Sequence, residues 1–153
     1  MRQATLLFLK DDSRILLAMK KRGFGEGRWN GVGGKPHEGE TIEQAAKREC
    51  EEEIGVIPTS MRQVAVLNFY FPKEKQRQGF NQQVIVFMCS KWLGEPAETE
   101  EMAPKWFGLE EIPYEAMWSD DKYWLPKVIN GEYVTADFYF DDSDGLLKYS
   151  VNS

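Results

Sequence analysis

The sequence predicts an α+β fold, a mixed β-sheet with helices packed on it, and three observations lead there. Strand-like apolar runs lie on both sides of one sharply marked helix, helices do not alternate regularly with strands, and no internal repeat or linker divides the chain. A doubly wound nucleotide-binding fold would need several more βα units. In chain order, residues 4–9 and 15–19 read as two strands joined by the polar turn Lys10-Asp11-Asp12-Ser13. Residues 23–36 form a shaped loop whose glycines, from Gly23 to Gly34, let backbone approach a ligand closely. It is not a Walker loop, because no Gly-Lys-Ser/Thr follows at the required spacing. The marked helix spans residues 41–54. Pro58 is expected to break the chain before a strand near 64–71, and a polar segment, 72–81, leads to the apolar strand 84–89. An acidic loop covers 94–102, and Trp106-Phe107 begins a further ordered stretch. A second helix is expected at 120–129 before the turn signal Asn130-Gly131. Strands at 133–140 and 147–151 then flank the turn Asp142-Ser143-Asp144-Gly145.

The helix at 41–54 carries the chemistry. Thr41 and Gln44 make a capping-box start, and Gly55 supplies a left-handed stop. At about 100° per residue, Glu49, Glu52 and Glu53 share an arc with Ile42, Ala45 and Ala46, whereas Gln44, Lys47 and Glu51 point the opposite way. Flanked by Ala46, Cys50 and Ile54, this is an apolar face with three acids set into it. Carboxylates at i, i+3 and i+4 cannot share such a surface ionised without a cation, and a hard divalent metal prefers oxygen ligands. The plain alternative is a glutamate-rich helix with a solvated face, a role Glu51 already fills. The carbonyl of Gly33 and a distant glutamate are candidate further ligands. Arg48 is expected to pair with Glu52 or a neighbouring acid and so orient a ligand. One of the carboxylates can hold or accept the proton of an attacking water, and Glu53 is favoured over Glu52 for that role.

Composition narrows the function. The 153 residues are expected to form one domain, with 42% hydrophobic residues and 13% aromatics supporting a packed core. A net charge of −6 disfavours polymeric nucleic acid and anionic membrane. Lys20, Lys21, Arg22, Arg28 and Lys35 nevertheless crowd ahead of the acidic helix, which suits a small phosphorylated ligand. Two cysteines, Cys50 and Cys89, lack metal-type spacing and imply reduced thiols, hence a cytoplasmic setting. A single histidine, His37, leaves no His-based zinc site and no ordinary triad. The apolar stretch 6–9 is too short for a signal peptide or a membrane span.

Taken whole, Gly34-x5-Glu40-x7-Arg48-Glu49-Cys50-x-Glu52-Glu53-x-Gly55-Val56 resembles the Nudix box of the MutT-like pyrophosphohydrolases, with Cys50 where a bulky aliphatic is usual. The segments from Met19 through Phe24 to Lys35, and Met117-Trp118-Ser119-Asp120-Asp121-x-Tyr123-Trp124-x-Pro126, further resemble the branch of that family acting on oxidised purine nucleoside triphosphates. The resemblance implies an α/β/α sandwich and Mg²⁺-dependent hydrolysis, with Mn²⁺ able to substitute. It implies substrates of the 8-oxo-dGTP and 2-oxo-dATP kind and the products nucleoside monophosphate and pyrophosphate. Metal positions fall on Gly33, Glu49, Glu52, Glu53 and Glu101. Substrate positions fall on Thr5, Lys20, Asn30, Val32, Gly33, Gly34, Lys35, Trp118, Ser119, Asp120 and Asp121, with Phe69, Trp118 and Phe140 bordering the base. The physical reading agrees in kind: Trp118 offers a stacking face, Asn30 both donor and acceptor, and two aspartates can read a purine edge. The plain reading makes Trp118 core and Asp120-Asp121 a helix start. Ser119 replaces a usual proline, Val32 an aromatic, and Gln82 falls near an expected methionine.

The expected partner is therefore a small nucleotide, with no nucleic-acid polymer or membrane and a monomeric protein. The rivals are a Nudix hydrolase for another nucleotide, such as a different modified dNTP, an ADP-sugar or a capped RNA end, and a catalytically silent nucleotide-binding module.

Overall fold

A computed structural model describes residues 1–23, 25–72 and 81–153. Phe24 and most of the 72–81 segment lie outside the described residues. Eight strands are described: β1 (Arg2–Leu9), β2 (Arg14–Lys20), β3 (Trp29–Asn30), β4 (Ile57–Tyr70), β5 (Gln82–Leu93), β6 (Met102–Gly108), β7 (Val134–Phe140) and β8 (Leu146–Asn152). Two α-helices, α1 (Ile42–Ile54) and α2 (Asp121–Ile129), and a 3-10 turn at Tyr114–Ala116 complete the order. The strands form two sheets rather than one: a mixed five-stranded sheet, β1-β5-β4-β7-β8, and a three-stranded sheet, β3-β2-β6. The α+β class and the sandwich hold.

Alternation along β1 explains the layering. Leu7 and Leu9 face the core beneath α1, with Ala46, Cys50, Ile54 and Phe87. Phe8 faces the opposite core, with Leu67, Val86, Trp124 and Phe138. Burial of both faces, at roughly 25 cal/mol per Å² of apolar surface, holds helices on either side of the large sheet. No helix among the described residues is long and apolar enough to cross a membrane.

Two readings of the strands need correction, and a third gains its pairing. The turn at residues 10–13 joins β1 and β2 as expected, with a bridge from Lys10 to Ile15, while β1 pairs in parallel with β5 and β2 with β6. Pro58 does not end a segment before β4 but lies inside it, paired with Trp92. It is tolerated there because β7 joins β4 only from Ala65 onward, leaving Pro58 on an edge with register shifts beside it. Trp106 and Phe107 lie within β6, opposite Leu16 and Ile15, and do not begin a new element.

Candidate active site

The capped helix behaves as expected. The Thr41 hydroxyl accepts from the Gln44 N–H, the Gln44 side chain accepts from the Thr41 N–H, and Gly55 closes the helix at φ 74°. Its acids are graded rather than uniformly inward. Glu53 is buried, Glu49 is largely covered, and Glu52 has 58% of its side chain exposed. The expectation that all three share the buried face therefore fails at Glu52, which sits on the rim.

Arg48 lies among these acids. Its Nε and Nη2 donate to Glu40 at 2.7 and 3.1 Å, and its Nη1 donates to Glu49 at 2.7 Å and to Glu52 at 3.1 Å. A further bond from Nη2 to the Lys35 carbonyl ties the helix to the preceding loop. Arg48 thus serves Glu52 and its neighbours at once. It holds the Glu40 carboxyl down at about 2, chiefly by direct hydrogen bonding.

Glu53 is poised in the opposite sense. Burial, then a hydrogen bond and repulsion from the Glu49 carboxyl, push it up to about 8, against a Gly33 backbone bond and the field of Lys20. Its Oε2 is buried with no hydrogen-bond donor. Gly33 can stand only as glycine, since a Cβ there would lie 1.9 Å from the Thr5 carbonyl oxygen, whereas a Cβ at Gly34 would sit 2.6 Å from the Glu49 carboxyl carbon and displace that side chain. Thr5 pins this approach, its hydroxyl donating to the Gly34 carbonyl and accepting from the Gly34 N–H, each at 3.2 Å. That hydroxyl is engaged by the loop.

Glu101 stands apart. Its carboxylate is exposed and bonded to Arg22 at 2.7 Å, which lowers its pKa, and Lys20 adds positive potential at both Glu101 and Glu53. Among the described residues no three acidic, histidine or cysteine side chains converge into a ready-made metal cage. The donors that do meet, Glu49 and Glu53 beside Gly33, are all oxygen, and one buried oxygen lacks a donor. This set suits a hard divalent cation.

Beside the acids opens a cavity of about 330 Å³. Gly33 and Gly34, which meet Glu53 and Glu49, line it with Thr5, Lys20, Asn30 and Lys35, and so do Phe69, Trp118, Asp120, Asp121 and Phe140. Two of the expected substrate positions are not on its wall. Val32 lies between Gly31 and Gly33, which do line it, and alternation turns its side chain into the core under α1. Both Val32 backbone groups are spent on Leu7. Ser119 is likewise off the wall, its buried hydroxyl unpartnered. Leu6, Phe71 and Met102, which the sequence does not mark, also line the cavity, as does Arg28 of the basic cluster around Lys20.

Phe69, Phe71 and Phe140 form one aromatic wall, with Phe71 and Phe140 stacked at 5.1 Å and Trp118 meeting Phe140 edge-on at 5.9 Å. Asp120 and Asp121 are 2% and 3% exposed. Asp120 makes no helix cap; its Oδ2 accepts the Trp124 indole N–H at 2.8 Å. Burial pushes Asp120 up to about 6, and burial together with the charge of Asp120 raises Asp121 well above the usual carboxylate range. Both aspartates begin α2 and line the cavity.

The NUDIX domain pattern matches residues 1–128. The chain belongs to the Nudix family. Nudix hydrolases as a group need a divalent metal ion, in keeping with the oxygen donors around Glu53. This Nudix chain is 43% identical over 147 residues to the oxidized purine nucleoside triphosphate hydrolase of Mus musculus, spanning 96% of this chain and 92% of that protein. It is 39% identical to the protein of the same name from Danio rerio, over 97% and 92% of the two lengths. Among solved structures, the mMutator MutT protein of Bacillus halodurans shares the fold with a TM-score of 0.85, covering 99% of this chain and 98% of that one at 23% identity.

Proposed function

We propose that this Nudix protein hydrolyses oxidised purine nucleoside triphosphates, of the 8-oxo-dGTP and 2-oxo-dATP type, to the monophosphate and pyrophosphate. The chain would act as a single cytoplasmic domain and a monomer, removing damaged nucleotides before they reach DNA. The observation that carries the reading is a buried aspartate pair lining an aromatic cavity whose Gly33–Gly34 wall abuts the acids of α1. Near full-length likeness to two proteins named for that activity supports it.

Mg²⁺, with Mn²⁺ as substitute, is the proposed ion, held by the Gly33 carbonyl, Glu49, Glu52 and Glu53, with Glu101 as a further ligand once Arg22 yields it. A bound divalent ion neutralises phosphate oxygens and makes water more acidic. Glu53 holds or takes the water proton, with Glu52 the alternative, and Arg48 fixes the carboxylates. Lys20 and Lys35 steer the phosphates, the Gly33–Gly34 backbone approaches them closely, and Trp118 stacks on the base beside Asn30. Product analysis tests the reaction type: monophosphate and pyrophosphate in equal amounts support it, whereas diphosphate and orthophosphate count against it.

Two mutations separate base from phosphate. Lys20→Ala is expected to weaken triphosphates more than the monophosphate, whereas Trp118→Ala should weaken both by about 1–3 kcal/mol, since stacking survives phosphate removal. Calorimetric titration of both ligand series distinguishes them, and equal losses in both variants would show the two residues wrongly assigned.

The aspartates yield a pH prediction. Their raised pKa values keep a protonated acid available toward neutrality, able to donate as well as accept, and raising the pH removes that donor. The ratio of kcat/KM between oxidised guanine and oxidised adenine triphosphates should therefore change between pH 5 and 8. Asp121→Asn should shift the ratio and flatten its pH dependence; identical profiles in mutant and wild type would remove the pair from base reading.

A further inference from the structure

Trp118 is held by cavity-lining residues to which the proposed chemistry gives no role. The Arg28 guanidinium, at the end of the glycine-rich loop, lies over the indole with its central carbon 4.1 Å from the ring centroid. Arg28 Nη2 is also 3.8 Å from Asp144 Oδ2, and both side chains are mostly covered. Gly25 fits closely against the same ring, where a Cβ would come within 3.4 Å of the indole nitrogen.

An independent feature is the conformation of Asp144. At φ 63° it is the one residue other than glycine with positive φ among the described residues, a region that L-residues enter at a cost. The β7–β8 turn enforces it: Asp141 Oδ1 accepts the N–H groups of Ser143 and Gly145 at 2.8 Å, and the Asp141 N–H donates to the Gly145 carbonyl at 2.8 Å. The strained residue is the one that reaches Arg28. Phe140, one residue before this turn's anchor, meets the Trp118 edge, so the turn bears on the indole twice.

We propose that Arg28 is a positioning residue for the base: with Asp144 it clasps the Trp118 indole and fixes its angle for a planar oxidised purine. The proposal rests on the reading of the cavity as an oxidised-purine site. A guanidinium is suited to the task because its flat face stacks on the indole while its edge bonds a carboxylate, which an ammonium cannot do together. The clasp acts on the base and leaves the phosphate end alone.

Calorimetric Kd values for 8-oxo-dGMP, competitive inhibition by inorganic tripolyphosphate, and steady-state kinetics on 8-oxo-dGTP test it in the full chain. Arg28→Ala is expected to weaken the monophosphate and raise KM by roughly three- to thirtyfold, with kcat within about twofold. Inhibition by tripolyphosphate should not change. Arg28→Lys should recover less than half of the loss on a logarithmic scale. Asp144→Asn, which keeps shape and tolerates the positive φ, should give a smaller loss in the same direction, and the double variant should be no worse than Arg28→Ala. Weakened tripolyphosphate inhibition would make Arg28 a phosphate ligand; full rescue by lysine, additive losses or an unchanged KM would likewise overturn the clasp. Wild-type protein that fails to bind 8-oxo-dGMP overturns the functional reading itself, and the clasp with it.

Discussion

Glu53→Gln is expected to lower turnover by roughly 10²-fold or more, because an amide can neither hold nor accept the water proton and offers no carboxylate that a bound divalent ion would ionise. The substitution preserves volume in a site where the side chain is 8% exposed, so the fold should survive. A stability readout without added metal accompanies the kinetic one. Burial and Glu49 raise the folded-state pKa of Glu53 from 4.5 to about 8, so the folded protein prefers the protonated acid. That preference contributes fully below about pH 4.5 and is lost as the pH rises through about 8. In chelator, wild-type stability should therefore fall over that window while Glu53→Gln declines less. Near-normal turnover in the variant would remove Glu53 from the chemistry, whatever the stability curves show.

Arg48→Ala is expected to produce the second large effect, a loss of roughly 10- to 100-fold in metal affinity or activity, by releasing the carboxylates it orients. Four groups, Glu40, Glu49, Glu52 and the Lys35 carbonyl, lose a donor together, and Glu49 then faces Glu53 without its guanidinium partner. Arg48→Lys should recover only part of the loss, since one ammonium cannot fork to all of them. Acid unfolding gives an independent check. The folded pKa of Glu40 is depressed from 4.5 to about 2, so its contribution is present above about pH 4.5 and lost as the pH falls toward 2. Without Arg48 that acid limb should shrink. Unaltered metal binding in Arg48→Ala would mean that the bonds are incidental to the site.

What could be read from the chain follows how local each signal is. The α1 boundaries depend on Thr41, Gln44 and Gly55, all within or next to the helix, and the helix forms where those residues direct. The division into two sheets depends on β1 finding β5, about eighty residues away, and no local pattern carries that choice. Glu52 was misread through a wide arc: at about 100° per residue it lies about 80° from Ile42, whereas Glu49 and Glu53 lie within about 20°. Its exposure follows that angle. Val32 shows the limit of reading a segment as a unit, because alternation sends every second side chain away from the cavity. The Trp118-Asp120-Asp121 region was legible only through resemblance. Nothing in the local pattern indicates that Asp120 turns back to the Trp124 indole instead of capping α2.

The most direct test of the account is kcat/KM for 8-oxo-dGTP and dGTP on the same preparation, measured with Mg²⁺ and then with excess chelator. The account predicts that chelator abolishes hydrolysis, that restored Mg²⁺ or Mn²⁺ returns it, and that the oxidised nucleotide is preferred by about tenfold or more. Equal rates on the two nucleotides would contradict the oxidised-purine reading, and turnover that persists in chelator would contradict the metal-dependent mechanism built on Glu53.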